Sequence, residues 1–247
     1  MVTIRCKGVE FPNIQAIIFD KDGTLEDSQE LLRNLGQKRA RLIDAQIPGI
    51  GEPLLMAFGI DGNTINPTGL MAVGSRQENE IVAAGYIAET GRGWLDSLLI
   101  ARRCFEEADQ YLKNATPSPL FVGCLEVLQS LSEAGLKLGI LSSARTQNVQ
   151  AFVERHQLTP YIQLQMGVDG TGFFKPDPAL FLLACQRLGV EPGVTLMVGD
   201  AAGDIEMAKN AGAAGAIGIC WGKAETNHLE TADIAIAQLD EITILSS

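Results

Sequence analysis

The stretch QAIIFDKDGTL, residues 15–25, places a short apolar run directly before two aspartates that are separated by one lysine. A run of this kind is typical of a strand that is buried on both faces of a parallel sheet. Asp20 and Asp22 follow at the end of the strand, and Gly23 permits a tight turn. Since Asp-Gly is a common turn signal, these residues alone are equally consistent with an acidic turn and with a reaction centre.

Three later runs share the character of the first: LKLGIL, VTLMVGD and GAIGIC. Stretches with helical spacing lie between them, as in FVGCLEVLQSLSEAG. Strands and helices in alternation predict a doubly wound α/β core with a parallel, Rossmann-like sheet. The segment MVTIRCKGVEFPNI, which precedes the first run, is expected either to add an edge strand to this core or to pack across it.

Residues 28–118 break the alternation, because they contain helix-like stretches but no convincing buried strand. The long GWLDSLLIARRCFEEADQYLKN shows helical spacing, and IDGNTINPTG is expected to form a turn-rich loop between helices. The sequence therefore predicts two domains: an α/β core of residues 1–27 and 119–247, and an inserted α-helical cap of residues 28–118.

Charge, cysteine content and the length of the apolar runs argue against several classes of protein. The formal net charge of the 247 residues is -11 and the basic residues do not cluster, which argues against a nucleic-acid surface. Five cysteines without a C-x-x-C pair predict reduced thiols rather than a zinc site or a disulfide framework. No run approaches membrane-spanning length, and the N-terminus lacks the apolar core of a signal peptide, so a cytoplasmic protein is expected.

Polar side chains also follow the later strands, at the edge where the ligands of open α/β sheets collect. Ser142 and Ser143 come after the second run, where a hydroxyl and free N–H groups suit an oxyanion. Lys175 lies in FFKPDP, where two prolines stiffen the backbone before a helix. Taken singly, a serine helix cap and a solvated lysine are the simpler interpretations.

Four aspartates from two segments that are distant in sequence are predicted to meet at this edge: Asp20, Asp22, Asp200 and Asp204. Each alone can be a turn or cap residue, but together they offer the hard oxygen ligands that Mg²⁺ prefers. Carboxylates as close as the first two repel, which allows one to act as nucleophile and the other as general acid. If the backbone stays extended here, Lys21 points to the opposite side and takes no part.

The motifs DKDGT, LSS, FFKPDP and GDAAGD occur in this order. They resemble the four motifs of the haloacid dehalogenase-like hydrolases, in the phosphatase branch that carries a C1-type helical cap, as in phosphoglycolate phosphatases. The resemblance covers the whole α/β part. It implies an Mg²⁺-dependent phosphatase acting on a small phosphorylated metabolite, with phosphoglycolate as the nearest named substrate. Phosphomutase or phosphonate hydrolase chemistry and a non-catalytic phosphate-binding module stay open as alternatives, whereas the second aspartate argues against dehalogenation.

The same resemblance implies a role for each motif residue. The implied catalytic residues are Asp20 as the nucleophile, Asp22 as the general acid and base, Ser142 and Lys175. The implied Mg²⁺ ligands are Asp20, Asp200, Asp204, directly or through water, and the backbone carbonyl of Asp22. The residues implied to contact the substrate are Gly23, Thr24 and Ser143.

The cap is expected to select the substrate, because it is free to vary above a fixed reaction centre. The arginines that suit a carboxylate or a second phosphate are Arg76, Arg92, Arg102 and Arg103, of which the adjacent pair more simply occupies a solvated helix face. A phosphonate hydrolase would need a cap lysine, and Lys38 and Lys113 lie in the insertion. Trp221 is expected to be a packing residue, with a place beside the cleft as the alternative because it follows a strand end, and His228 is expected to have a solvated or structural role.

Overall fold

The computed structural model describes residues 2–112, 116–221 and 227–245. The chain divides into two compact units, Met1–Asp27 with Leu120–Ser247, and Ser28–Pro119. We call them the core unit and the cap unit. In the described ranges, no helix combines the length and the hydropathy that crossing a bilayer would require.

The strands are β1 (Val2–Cys6), β2 (Val9–Ile14), β3 (Ala16–Phe19), β4 (Ile60–Asp61), β5 (Thr64–Ile65), β6 (Lys137–Ser142), β7 (Ile162–Gly167), β8 (Thr195–Gly199), β9 (Gly215–Ile219), β10 (Ile234–Ile236) and β11 (Ile242–Leu245). The helices are α1 (Gln29–Asp44), α2 (Gly51–Phe58), α3 (Leu70–Val73), α4 (Arg76–Glu89), α5 (Trp94–Leu112), α6 (Cys124–Glu133), α7 (Thr146–Arg155), α8 (Pro178–Leu188) and α9 (Ala202–Asn210).

Six parallel strands form the central sheet of the core unit, in the order β10-β9-β8-β3-β6-β7. β3 lies in the middle, where Phe19 is level with Ile140 of β6 and with Val198 of β8. Along β3, Ile17 enters one hydrophobic cluster and Ile18 the other. Full burial of such a side chain contributes about 1.5–3 kcal/mol, and burial on both faces explains the unbroken apolar run. The predicted parallel α/β core is confirmed.

The N-terminal segment forms part of a second, antiparallel sheet with the order β11-β1-β2. Thr3 of β1 is paired with Leu245 of β11, so the two ends of the described chain are joined by strand pairing. Ile4 and Phe11 are buried in the same cluster as Ile17 and Phe19 of β3. Phe11 packs so closely on Gly215 of β9 that a Cβ there would lie 2.3 Å from the ring. Of the two predicted arrangements, packing across the core is therefore correct.

The cap unit consists of helices α1 to α5 and the short antiparallel pair β4-β5, around a hydrophobic cluster of its own. The predicted helical insertion is confirmed, but the expected loop contains the β4-β5 hairpin. Arg39 is buried, with its guanidinium 4.2 Å from the centre of the Phe105 ring and 3.3 Å from Asp109. Pairing of this kind is what permits a buried arginine.

Candidate active site

Asp20 lies at the carboxyl end of β3, in the middle of the central sheet. Its backbone N–H donates to the carbonyl of Val198 at 2.8 Å, and its side chain is 9% exposed. Lys175, from the loop between β7 and α8, places its Nζ 2.5 Å from Asp20 Oδ1 and 2.6 Å from Asp204 Oδ1. Three segments that are far apart in sequence thus meet at one edge of the sheet, as the strand-end rule predicts.

Burial and mutual contact together determine the charge states of Asp20 and Lys175. It raises the pKa of Asp20 to about 7, and Asp204 and Asp22 add to this rise while Lys175 opposes it. Burial alone would lower the pKa of Lys175, but the carboxylates of Asp20 and Asp204 raise it above its ordinary value. The ammonium therefore stays charged and favours the ionised form of the aspartate that it contacts.

The raised pKa of Asp20 predicts a pH-dependent cost in stability. The ordinary pKa is 3.8 and the folded value is about 7, so the folded chain holds this proton more tightly than the unfolded chain. Stability contributed by Asp20 is therefore lost as the pH rises from about 4 to 7. Without divalent ions at pH 8, we expect Asp20→Asn to raise the free energy of unfolding by about 2–4 kcal/mol, since one pKa unit corresponds to about 1.4 kcal/mol. Denaturant unfolding at pH 5 and pH 8 checks this, and an equal difference at both would contradict it.

Among the residues that the structure describes, three carboxylates lie close enough together to bind one metal ion: those of Asp20, Asp200 and Asp204. One oxygen from each lies within 4.8 Å of the others. Mg²⁺ binds oxygen at 2.0–2.1 Å, so opposite ligands stand about 4 Å apart, and this donor set fits the ion in chemistry and in spread. The predicted convergence holds for these three side chains.

The turn after Asp20 is shaped around Asp200. Gly23 has φ of 80°, and a Cβ at this position would lie 2.1 Å from Asp200 Oδ2, so no other residue fits without displacing that carboxylate. Thr24 is fully buried, and its Oγ1 donates to Asp200 Oδ1 at 3.3 Å. The observed role of both residues is to support a carboxylate of the acidic group, and their contact with substrate stays a prediction.

Ser142 and Ser143 lie between β6 and α7. Ser142 is buried at the end of β6, and its Oγ accepts the N–H of Ala144 at 3.1 Å. The hydroxyl proton is then available for donation elsewhere, which is the property that an oxyanion contact needs. Ser143 is the next residue and is partly exposed. Binding of phosphoryl oxygens by these serines stays a prediction.

Lys21 does not stand apart from the aspartates, contrary to the expectation from an extended backbone. The chain turns immediately, because the N–H groups of Leu25 and Glu26 both donate to the carbonyl of Lys21 at 3.0 Å. The Lys21 ammonium then lies 2.6 Å from Asp22 Oδ1 and 2.6 Å from Glu26 Oε2. The Asp22 carboxylate is therefore paired with Lys21 and lies outside the group of three. Binding of the metal by the backbone carbonyl of Asp22 stays a prediction.

Trp221 and His228 contact the backbone of the candidate site, where packing or solvated roles were the main expectation and a place beside the cleft was considered for Trp221. Trp221 Nε1 donates to the carbonyl of Gly23 at 3.0 Å, and its ring stacks on Phe121 with 4.0 Å between ring centres. His228 Nε2 lies 3.0 Å from the carbonyl oxygen of Asp200. These contacts fix the backbone on which the motif side chains stand. The position of the tryptophan just after a strand end is the only signal that the sequence carries for them.

The cap arginines make contacts within the cap unit. Arg76 Nε lies 2.7 Å from Glu80 Oε1, and its guanidinium also pairs with Asp109. Arg102 and Arg103 are exposed on α5, in agreement with the simpler interpretation. Lys113, one of the two lysines considered for phosphonate chemistry, lies outside the described residues. Selection of substrate by these side chains stays a prediction.

Comparison with known proteins agrees with this geometry. The family model of the haloacid dehalogenase-like hydrolases matches residues 14–212. The probable phosphatase IndB of Dickeya dadantii (strain 3937) is 32% identical, over 88% of this chain and 86% of its own. The phosphoglycolate phosphatase of Escherichia coli (strain K12) is 27% identical, over 92% and 88%. The N-acetylmuramic acid 6-phosphate phosphatase of Pseudomonas putida (strain KT2440) is 26% identical, over 81% and 80%.

Solved structures show a likeness in fold. A crystal structure described as a predicted phosphoglycolate phosphatase of Haemophilus somnus 129PT superposes with a TM-score of 0.68 and 24% identity, over 92% of this chain and 95% of that one. At this identity the likeness establishes the fold. The family match over residues 14–212, together with the relative at 32% identity, shows that the chain belongs to the haloacid dehalogenase-like hydrolases, in the phosphatase branch of that family.

Proposed function

We propose that this protein hydrolyses a small phosphate monoester by transferring the phosphoryl group to Asp20. The observation that carries the proposal is the buried carboxylate of Asp20, contacted by Lys175 and grouped with Asp200 and Asp204 at the end of the central strand. Phosphoryl transfer needs an aligned nucleophile and positive charge around the phosphoryl oxygens, and the contact between the Asp20 carboxylate and the Lys175 ammonium supports assigning these two roles to them.

The first step forms an aspartyl phosphate. A carboxylate oxygen of Asp20 attacks phosphorus, the bond from phosphorus to the ester oxygen breaks, and Asp22 gives its proton to the departing alkoxide. In the second step, the Asp22 carboxylate takes a proton from water, and the resulting hydroxide attacks phosphorus. Inorganic phosphate leaves, and the Asp20 carboxylate is restored. Lys175, Ser142 and Ser143 are assigned to the phosphoryl oxygens.

Mg²⁺ is the proposed cofactor. The carboxylates of Asp20, Asp200 and Asp204 and the backbone carbonyl of Asp22 are the proposed ligands, and the donor set fits a hard divalent ion. When bound, the ion supplies positive charge that offsets the negative charge of the phosphoryl oxygens.

Phosphoglycolate is the first substrate to test, because relatives named phosphoglycolate phosphatase align over 92% of the chain. N-acetylmuramic acid 6-phosphate is the second, since another relative carries that name. The two compounds differ greatly in size, so comparing them also indicates how large a monoester the protein accepts.

A panel of phosphate monoesters, assayed with Mg²⁺ and with EDTA, tests the proposal. We expect phosphate release from at least one ester, and a loss of about 100-fold or more with EDTA, because an electrostatic clamp of this kind contributes several kcal/mol to the transition state. The panel contains phosphoglycolate, N-acetylmuramic acid 6-phosphate, hexose phosphates and p-nitrophenyl phosphate. Asp240→Asn, which alters an exposed aspartate of the same unit, serves as the control. Absence of release from every ester with Mg²⁺ would reject the proposal in favour of a phosphate-binding module.

A further inference from the structure

Three charged side chains form a connected series beside the nucleophile: Glu26, Lys21 and Asp22. The Lys21 ammonium lies 2.6 Å from Glu26 Oε2 and 2.6 Å from Asp22 Oδ1. Side-chain exposure rises along the series, from 3% for Glu26 to 7% for Lys21 and 20% for Asp22. The lysine is therefore anchored at a buried carboxylate and presents its charge to a carboxylate nearer the surface.

The position of the ammonium is fixed by the backbone as well. The carbonyl of Lys21 accepts the N–H groups of Leu25 and Glu26, and the N–H of Gly23 donates to the carbonyl of Glu26 at 2.9 Å. Lys21 Nζ also lies 5.5 Å from the centre of the Phe152 ring, which is buried in the core cluster. A lysine held by two carboxylates, a ring and a closed turn is an immobile partner for Asp22.

A general acid must present its proton within hydrogen-bond distance of the departing oxygen. Lys21 engages Oδ1 of Asp22, which leaves Oδ2 to face a departing oxygen. We propose that Lys21, anchored by Glu26, is a positioning residue that orients the Asp22 carboxyl toward the leaving group. Transfer of the Oδ2 proton to the alkoxide, as the ester bond breaks, leaves a carboxylate whose negative charge faces the ammonium. This inference rests on the proposed function, which assigns Asp22 its role.

The test compares two leaving groups in the first turnover. p-Nitrophenolate departs as a stable anion and needs little protonation, whereas an alkoxide needs the proton of the general acid. In Lys21→Met, we expect release of the alcohol from the best alkyl phosphate of the panel to slow by about 10–100-fold, a part of what general acid catalysis contributes. Release of p-nitrophenol should change by less than about threefold, because its departure does not depend on that proton. Rapid mixing with excess enzyme and Mg²⁺ measures both rates before the second step.

A second variant tests whether the selective loss arises from misfolding around an unpaired Glu26. Lys21→Met leaves Glu26 buried without its cation, whereas Lys21→Met/Glu26→Gln removes both charges and should show the same selective loss. Lys137→Met is the control, because this lysine starts β6 at the opposite end of the sheet and donates to the carbonyls of Leu188 and Gly189. Both of its rates should stay at wild-type values.

Two other results would overturn the inference. Equal slowing of both esters would indicate a purely structural lysine, and unchanged rates for both would remove the lysine from the reaction. These outcomes differ from failure of the proposed function, in which the wild-type protein itself releases no leaving group from any ester with Mg²⁺. That failure would overturn both proposals together.

Discussion

Replacing Asp20 with Asn is expected to abolish measurable turnover, with phosphate release falling by about 10⁴-fold or more. The amide has nearly the same shape but offers no anionic oxygen to attack phosphorus. Lys175 keeps its contact with Asp204 at 2.6 Å, so the surrounding structure retains its main ion pair. The measurement is Mg²⁺-dependent phosphate release from the best ester of the panel. Acid-quenched samples of the wild-type protein should also carry covalent phosphate, which the variant should lack.

Folding of the Asp20→Asn variant is the necessary control. Its unfolding temperature should be no lower than that of the wild-type protein, because the substitution removes a buried group whose charged form is disfavoured. Asp240→Asn should retain wild-type turnover. A variant that folds and still hydrolyses the ester at an undiminished rate would show that another residue is the nucleophile.

Replacing Lys175 with Met is expected to damage both stability and turnover. The ammonium is the cation that contacts Asp20 and Asp204, and all three side chains are less than 10% exposed. Leaving two buried carboxylates without their partner should lower the free energy of unfolding in EDTA by about 3–5 kcal/mol. The variant also loses the positive charge that is proposed to contact the phosphoryl oxygens, which should slow turnover by about 10³-fold.

Adding Mg²⁺ distinguishes repulsion between the unpaired carboxylates from a general loss of stability. A divalent ion bound as proposed would offset the charge of the same carboxylates, so saturating Mg²⁺ should raise the Tm of Lys175→Met more than that of the wild-type protein. Lys209→Met is the control, because Lys209 pairs with Asp233 near the surface and should contribute less than about 1 kcal/mol. A Lys175→Met protein that unfolds in EDTA at the wild-type temperature would contradict this account.

The central strands could be predicted because burial on both faces produces an unbroken apolar run, as in residues 16–19. The edge strand β7, with the sequence IQLQMG, lacked that signal because two exposed or half-exposed glutamines interrupt it. β4 and β5 have two residues each, which is too short for any periodicity. The pairing of β1 with β11 joins opposite ends of the chain, and local patterns carry no information about such a partner.

The charged residues of the candidate site were predictable because they lie at, or in the segments that follow, the carboxyl ends of parallel strands, where topology brings them together. Asp20, Lys175, Asp200 and Asp204 are observed as one group for that reason. The contacts of Lys21 depend on the exact turn that follows the strand, and an extended backbone gives the opposite orientation. The hydrogen bond from Trp221 to Gly23 depends on a rotamer and a backbone conformation that no motif specifies.

The pairing of β1 with β11 has a consequence for the order of folding. The pairing closes a loop that runs from Thr3 to Leu245. Closing so long a loop costs conformational entropy, and this cost is offset only after the segments between the two strands have become compact. During synthesis, β1 keeps an open hydrogen-bonding edge until β11 emerges. An open edge of this kind can pair with another chain; β11 covers it on β1, and β11 and β2 are then the outer strands of the three-stranded sheet.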